Sequence, residues 1–255
     1  METRRTDTGN RTNARFPQQT DWSGILIAGG PASSPEARDS LNRLCQMYWP
    51  PLYAFIRFKG YNSHDAKDLT QSFFLHLFQS DFIKKVEPQK GKFRSFLLAA
   101  LTNFMNDQWQ KARAVKRGGH LEIISLDEQE AESHYGLLPK MDPSPEKLYD
   151  RSWAGIVVRT VLKNLEQEYL QDNSAQLYQA FLPHLVAEPD DIAYSELVRR
   201  LNKNKNALQV AWHRLRRRFG ELLRAEIALT VANPADVAGE IKYLLAAWAA
   251  LSSTH

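Results

Sequence analysis

An all-α fold is predicted by three features of the sequence. Apolar residues recur at helical spacing in every long segment that carries them, no segment alternates at period two for long enough to make a convincing strand, and the breaks between periodic segments hold the Pro, Gly and Asn of helix ends. A chain of 255 residues can hold one large or two small cores. The predicted architecture is two small helical domains joined by an acidic linker, the second domain containing a helix-turn-helix.

Residues 1–21 are polar and are expected to form a flexible tail. The first domain is expected over residues 22–117. Trp22, Ile25 and Leu26 suggest a docking turn, and Ser34 followed by Pro35 suggests a cap and first position of a helix. Leu41, Leu44, Tyr48, Leu52, Phe55 and Ile56 trace the face of that helix, which Pro50 and Pro51 should kink or break. After a turn at Gly60, Ser63 is the expected cap of a second helix faced by Ala66, Leu69, Phe73, Phe74, Leu77 and Phe78. A basic loop with Pro and Gly follows. A third helix is expected from Phe93 to Arg113, striped by Phe93, Phe96, Leu97, Ala100, Leu101, Phe104 and Met105.

Residues 118–147 read as the linker, acidic and weakly periodic, with Pro143 and Pro145 near its end. The second domain is expected over residues 148–230. Helical spacing returns at Leu148, Ile156, Val157, Val161, Leu162 and Leu165, then at Leu177, Ala180, Phe181 and Leu185. The short helix YSELVRRL, the turn NKNK and a longer helix bearing Leu208, Ala211, Trp212, Leu215, Phe219 and Leu222 complete it. Residues 231–255 form a terminal amphipathic helix through Val237, Ile241, Leu244, Leu245, Trp248 and Leu251, expected to pack on the hairpin domain or to dock a regulator.

The net charge of +4 conceals a strong pattern. Residues 84–117 carry Lys84, Lys85, Lys90, Lys92, Arg94, Lys111, Arg113, Lys116 and Arg117 against only Glu87 and Asp107. Residues 121–150 reverse the sign, with Glu122, Asp127, Glu128, Glu130, Glu132, Asp142, Glu146 and Asp150 against Lys140 and Lys147. Residues 199–224 turn basic again, with Glu221 the single acid. Two basic modules joined by an acidic strap point to two contacts with one polyanion.

Other function classes lack support. A single cysteine, Cys45, rules out an internal disulfide, and the polar start METRRTDTGNRTNARF lacks a signal peptide's apolar stretch. FLLAAL and YLLAAWAAL fall short of the roughly 20 residues that span a bilayer, so a soluble cytoplasmic protein without membrane contact is expected. Neither HExxH nor a glycine-rich phosphate loop occurs. The pairs Asp65/Asp68 and Asp190/Asp191 fit helix starts better than catalytic dyads. No enzyme, cofactor, metal or small-molecule substrate is expected.

A helix-turn-helix presents the leading residues of its second helix to the major groove. Here those residues are Lys205, Asn206, Gln209 and His213, and the amides of Asn and Gln suit adenine edges. Arg214, Arg217 and Arg218, further along, suit phosphates, which the guanidinium fork grips bidentately.

The stretch DAKDLTQSFFLHLF followed by FRSFLLAALTNFMNDQWQKAR resembles the second conserved region of bacterial RNA polymerase sigma factors of the sigma-70 type. The matching positions are Asp65, Asp68, Gln71 and Phe74, then Phe93, Leu97, Asn103 and Asp107. YSELVRRL with LQVAWHRLRRRF is similar to the fourth region at Tyr194, Glu196, Leu197, Leu201, Leu208, His213, Arg214 and Arg216. The stretch between is too short for a third sigma domain, which makes the extracytoplasmic-function (ECF) group the nearest relative. The chain departs from the pattern at Val198 and Lys203, at Phe96 where many relatives have Trp, and at Asn202, which replaces a turn glycine and tolerates the left-handed conformation.

The resemblance implies that Asp65, Asp68, Gln71 and Phe74 dock onto core RNA polymerase, and that the third helix engages the melted promoter strand. A cationic track for that strand is available in Lys92, Arg94, Lys111 and Arg113, with Asn103 beside it and a base pocket in the loop of residues 80–92. Trp109 either offers a stacking platform for an unstacked base or, four residues after Met105 on the buried stripe, packs in the core. The acidic linker is either an RNA mimic in the polymerase channel or a solvated tether. Core polymerase and promoter DNA are the implied partners, with an anti-sigma or other regulatory protein a further one. The competing readings are a conventional helix-turn-helix regulator independent of polymerase, and a polymerase-binding adaptor without promoter activity.

Overall fold

A computed structural model describes residues 35–79, 92–114, 128–136, 138, 144–185, 191–231 and 233–252. The tail of residues 1–21, the turn at Trp22, the Ser34 cap and the loop of residues 80–91 lie outside the described residues. So do the side chains of Trp109, Lys111 and Arg113, whose backbone is helical. Among the described residues the fold is helical throughout, without strands.

The helices, in order, are α1 (Pro35–Phe58), α2 (Ser63–Gln79), α3 (Phe93–Ala114), α4 (Glu128–Gly136), α5 (Pro145–Gln171), α6 (Ala175–Phe181), α7 (Asp191–Leu201), α8 (Lys205–Ala228) and α9 (Val237–Ser252). Single 3₁₀ turns at Leu182–His184 and Pro234–Asp236 join some of them.

Helix α1 runs unbroken through Pro50 and Pro51, contrary to the break the prolines suggest. The prolines cost the carbonyls of Gln46 and Met47 their helical donors, but Gln46 is exposed and can turn to water. Burial of Tyr48, Trp49, Leu52, Tyr53, Phe55 and Ile56 on both sides holds the helix together. The cap of α2 is Asn62 rather than Ser63. Its Oδ1 accepts the Asp65 backbone N–H at 2.8 Å and its Nδ2 donates to the Asp65 carboxylate at 2.8 Å.

The acidic segment is not bare chain. Ala131, Tyr135 and Leu138 recur at helical spacing; α4 packs on α1 and buries Ala131, and Leu138, just past its end, is buried with Ala54 of α1 and Leu148. Tyr53 donates to Glu132, and Arg57 reaches the same carboxylate from Nε at 3.1 Å and Nη2 at 2.7 Å.

Helix α5 is the organising element. Ser144 caps it by accepting the Lys147 N–H at 3.2 Å, and Pro145 takes the first helical position, where its missing N–H costs nothing. Leu148, Tyr149, Ser152, Trp153, Ala154, Val157, Val158, Val161 and Leu165 are all buried, a band too broad for one neighbour. Accordingly α5 packs against α1, α8 and α9. One hydrophobic cluster runs from Leu44 on α1 through Trp153 to Trp212 on α8 and Leu244 on α9. The terminal helix thus packs on α8, as its apolar stripe suggests, and also on α5.

Candidate nucleic-acid interface

Helix α8 separates its residues as the sequence pattern requires. Leu208, Trp212, Leu215, Leu222, Leu223 and Ile227 are buried, with Trp212 set 5.4 Å from the Phe181 ring. Between α7 and α8 the chain turns at Asn202, whose φ of +49° is the left-handed conformation expected of a residue standing in for glycine. Asn204 then caps α8 by accepting the Ala207 N–H at 2.7 Å. This turn leaves Lys205, Asn206, His213, Arg214, Arg216 and Arg217 exposed and Gln209 half-buried.

Arg218 departs from its expected role on DNA. Nε and Nη2 fork onto Glu168 of α5 at 2.7 and 2.5 Å, and Nη1 reaches Glu221 at 3.2 Å. The Glu168 hydrogen bond raises the arginine's pKa and outweighs burial, so the charge is permanent and already engaged. Arg217 pairs with Glu221 at 3.0 Å but keeps a largely exposed side chain, leaving its remaining donors open to a phosphate.

At the start of α3 the correction is larger. Arg94, expected to face DNA, is 7% exposed. It donates from Nε to Glu240 of α9 at 2.6 Å and from Nη1 to Asp150 of α5, with its guanidinium 5.3 Å from the Trp153 ring and 4.6 Å from that of Tyr243. Burial works against the arginine's charge, yet the Glu240 hydrogen bond and Asp150 outweigh it and the pKa is raised. Lys92 sets its ammonium 2.5 Å from the other Glu240 oxygen. Tyr243 donates to Asp150, and its hydroxyl is pushed up to about 12 by burial and by that carboxylate. A buried cation requires such partners, since an unpaired charge inside a protein is prohibitively expensive.

Glu240 is 1% exposed and absent from the sequence-based site. A signal for it exists. It sits at helical spacing between Val237 and Leu244, both buried, so an acid lies on an apolar face and demands a cation opposite. Asn103 is exposed on α3 and lines, with Arg94, a cleft of about 410 Å³ whose far wall carries Glu146, Tyr149 and Asp150 of α5.

On α2, Asp65 and Asp68 are exposed and Gln71 is half-buried. A shallow groove lined by Tyr61, Asp65, Asp68, Leu69, Ser72, Met105 and Gln108 runs beside them. Phe74 does not join this surface. It is 2% exposed and stacks on Trp49 with centroids 5.7 Å apart, because it lies on the buried stripe shared with Phe73 and Leu77.

Residues 44–115, spanning most of α1 to α3, match the Sigma-70 region 2 family. Over 133 residues the chain is 29% identical to the ECF RNA polymerase sigma factor SigE of Mycolicibacterium smegmatis. That alignment covers 52% of this chain, and the chain spans 46% of the relative's length. No solved structure matches the chain. Three packed helices with an acidic outer edge on the second, followed by a basic helical hairpin, thus accompany a local likeness: residues 44–115 match the Sigma-70 region 2 family, and about half of the chain is similar to an ECF-type sigma factor.

Proposed function

We propose that this protein is a sigma factor that binds core RNA polymerase, recognises promoter DNA and promotes strand opening, working in the bacterial cytoplasm and performing no chemistry itself. The observation that carries the reading is the region 2 match across α1 to α3, in which the carboxylates of Asp65 and Asp68 remain exposed for a partner. Gln71 at the margin of the same face suits a polar contact, while Phe74 and Trp49 hold the helix in place from beneath.

The hairpin of α7 and α8 would read duplex DNA. Lys205, Asn206, Gln209 and His213 lead α8, so they suit base edges, while Arg214 and Arg217 suit phosphates. Exposed side chains at all of these positions but the half-buried Gln209 support that division, and Arg218 is reassigned to holding α8 on α5. Strand opening falls to α3, where Lys92, Asn103, Lys111 and Arg113 would follow the single strand and Arg94 would join them on release from its carboxylates.

Run-off transcription tests the proposal. Core polymerase plus this protein on fragmented genomic DNA should start transcripts at defined sites, and core polymerase alone should not. Capture of core enzyme without defined starts would favour a polymerase-binding adaptor. Duplex binding without capture of core enzyme would favour an independent helix-turn-helix regulator.

A further inference from the structure

Lys92 and Arg94 stand at the start of the helix proposed to engage the open strand, yet in the folded chain both are held by carboxylates from elsewhere. Glu240 of α9 accepts from Arg94 at 2.6 Å and lies 2.5 Å from the Lys92 ammonium, while Asp150 of α5 takes the other side of the guanidinium. Tyr243, one turn along α9, donates to Asp150 and lays its ring beside both cations, 5.4 Å from Lys92 and 4.6 Å from Arg94. The carboxylate oxygens occupy the acceptor positions around these cations that phosphate oxygens would take.

The surroundings favour the closed state. Below Arg94 the cleft between α3 and α5 stays open to Asn103, and Glu146 and Asp150 present negative charge across it. A phosphate chain entering there would meet repulsion from α5 while its cationic partners are already occupied. The contact is more than an ion pair: Val237 and Leu244 of α9 are buried in the main hydrophobic cluster, so freeing the cations requires lifting a packed helix as well as exchanging one anion for another.

We infer that α9 is an internal latch. Glu240, with Asp150 and Tyr243, acts as a built-in substitute for the nucleic-acid backbone and keeps Lys92 and Arg94 from a single strand until α9 is displaced. The inference rests on the strand-binding role proposed for α3.

The test uses the full chain and a fluorescein-labelled single-stranded oligonucleotide, read by anisotropy, with amide hydrogen exchange of residues 237–252 recorded in parallel. Glu240→Gln should raise affinity by about tenfold, as expected from freeing one or two charge-assisted contacts, and speed exchange in α9. Tyr243→Phe changes no charge and should move both readouts in the same direction by a smaller amount. Asp236→Asn removes one negative charge from an exposed site outside the cluster and should leave both near wild type. Adding Lys92→Ala to Glu240→Gln should cancel most of the gain.

Unchanged affinity in Glu240→Gln, or an equal gain in Asp236→Asn, overturns the latch. Should Glu240→Gln fail to fold, Tyr243→Phe decides alone, and its silence in both readouts rejects the idea. These failures differ from failure of the functional reading, in which wild type and variants alike start no transcript with core polymerase whatever their affinity for the oligonucleotide.

Discussion

Arg218 of α8 and Glu168 of α5 meet as a two-pronged pair, Nε at 2.7 Å and Nη2 at 2.5 Å from the two carboxylate oxygens. The arginine cluster that looks uniform in sequence is therefore divided between anchoring and display. Arg218→Ala should lower stability by about 1–2 kcal/mol, the range of a partly exposed bidentate pair, and should barely alter the salt dependence of duplex binding. Arg214→Ala should leave the melting temperature unchanged and reduce the salt slope of binding by about one unit. Thermal melts and salt titrations on both variants check the division.

The α2 surface makes a second contrast. Asp65→Asn with Asp68→Asn should weaken capture of core polymerase while leaving the melting temperature nearly unchanged, because both side chains are exposed. Phe74→Ala should cost about 3–5 kcal/mol by opening a cavity against Trp49, and it should lose polymerase only in proportion to unfolding. Pull-downs normalised to folded protein separate the two.

Acid should loosen the clasp on α4. The hydrogen bond from Arg57, helped by Tyr53, outweighs burial and holds the Glu132 carboxyl below its ordinary value. A carboxyl whose pKa is lower folded than unfolded favours the fold above the ordinary value of about 4.5, and that contribution fades as pH falls through the folded value. Glu221 is depressed by Arg217 and Arg218 and acts with the same sign. Melting temperature should therefore drop below about pH 4.5, and Glu132→Gln should show a shallower drop from a lower starting point. Equal slopes in the two proteins would count against the clasp.

Asn202 tests the hairpin turn. Its φ of +49° costs most side chains about 1–2 kcal/mol, and Asn less. Asn202→Ala should destabilise by about 1 kcal/mol, whereas Asn202→Gly should be nearly neutral, as read from denaturant midpoints.

Much of this organisation was legible beforehand, for physical reasons. Helical periodicity located α3 and α8 closely, since each buries a single clear stripe, and the NKNK turn announced its left-handed residue. Legibility failed where long-range partners decide. Nothing near Arg94 in sequence reveals that Glu240 lies opposite, so a cation in a basic run reads as open to DNA. The acidic strap reads by its charge as a linker, and the charge conceals the Ala131, Tyr135, Leu138 stripe that seats it on α1. Likewise Phe74 matched a family position, but only packing decides which face of α2 points at Trp49.

Asp150 and Glu168 sit eighteen positions apart on α5. At 3.6 residues per turn that interval is five turns, so both acids project from the same side of one rod, roughly 27 Å apart. Each grips an arginine, Asp150 that of α3 and Glu168 that of α8. The rod therefore behaves as a ruler with a phase: deleting a single residue between the two acids would swing one grip by about 100° relative to the other, so the length of this interval is constrained independently of the side chains it buries.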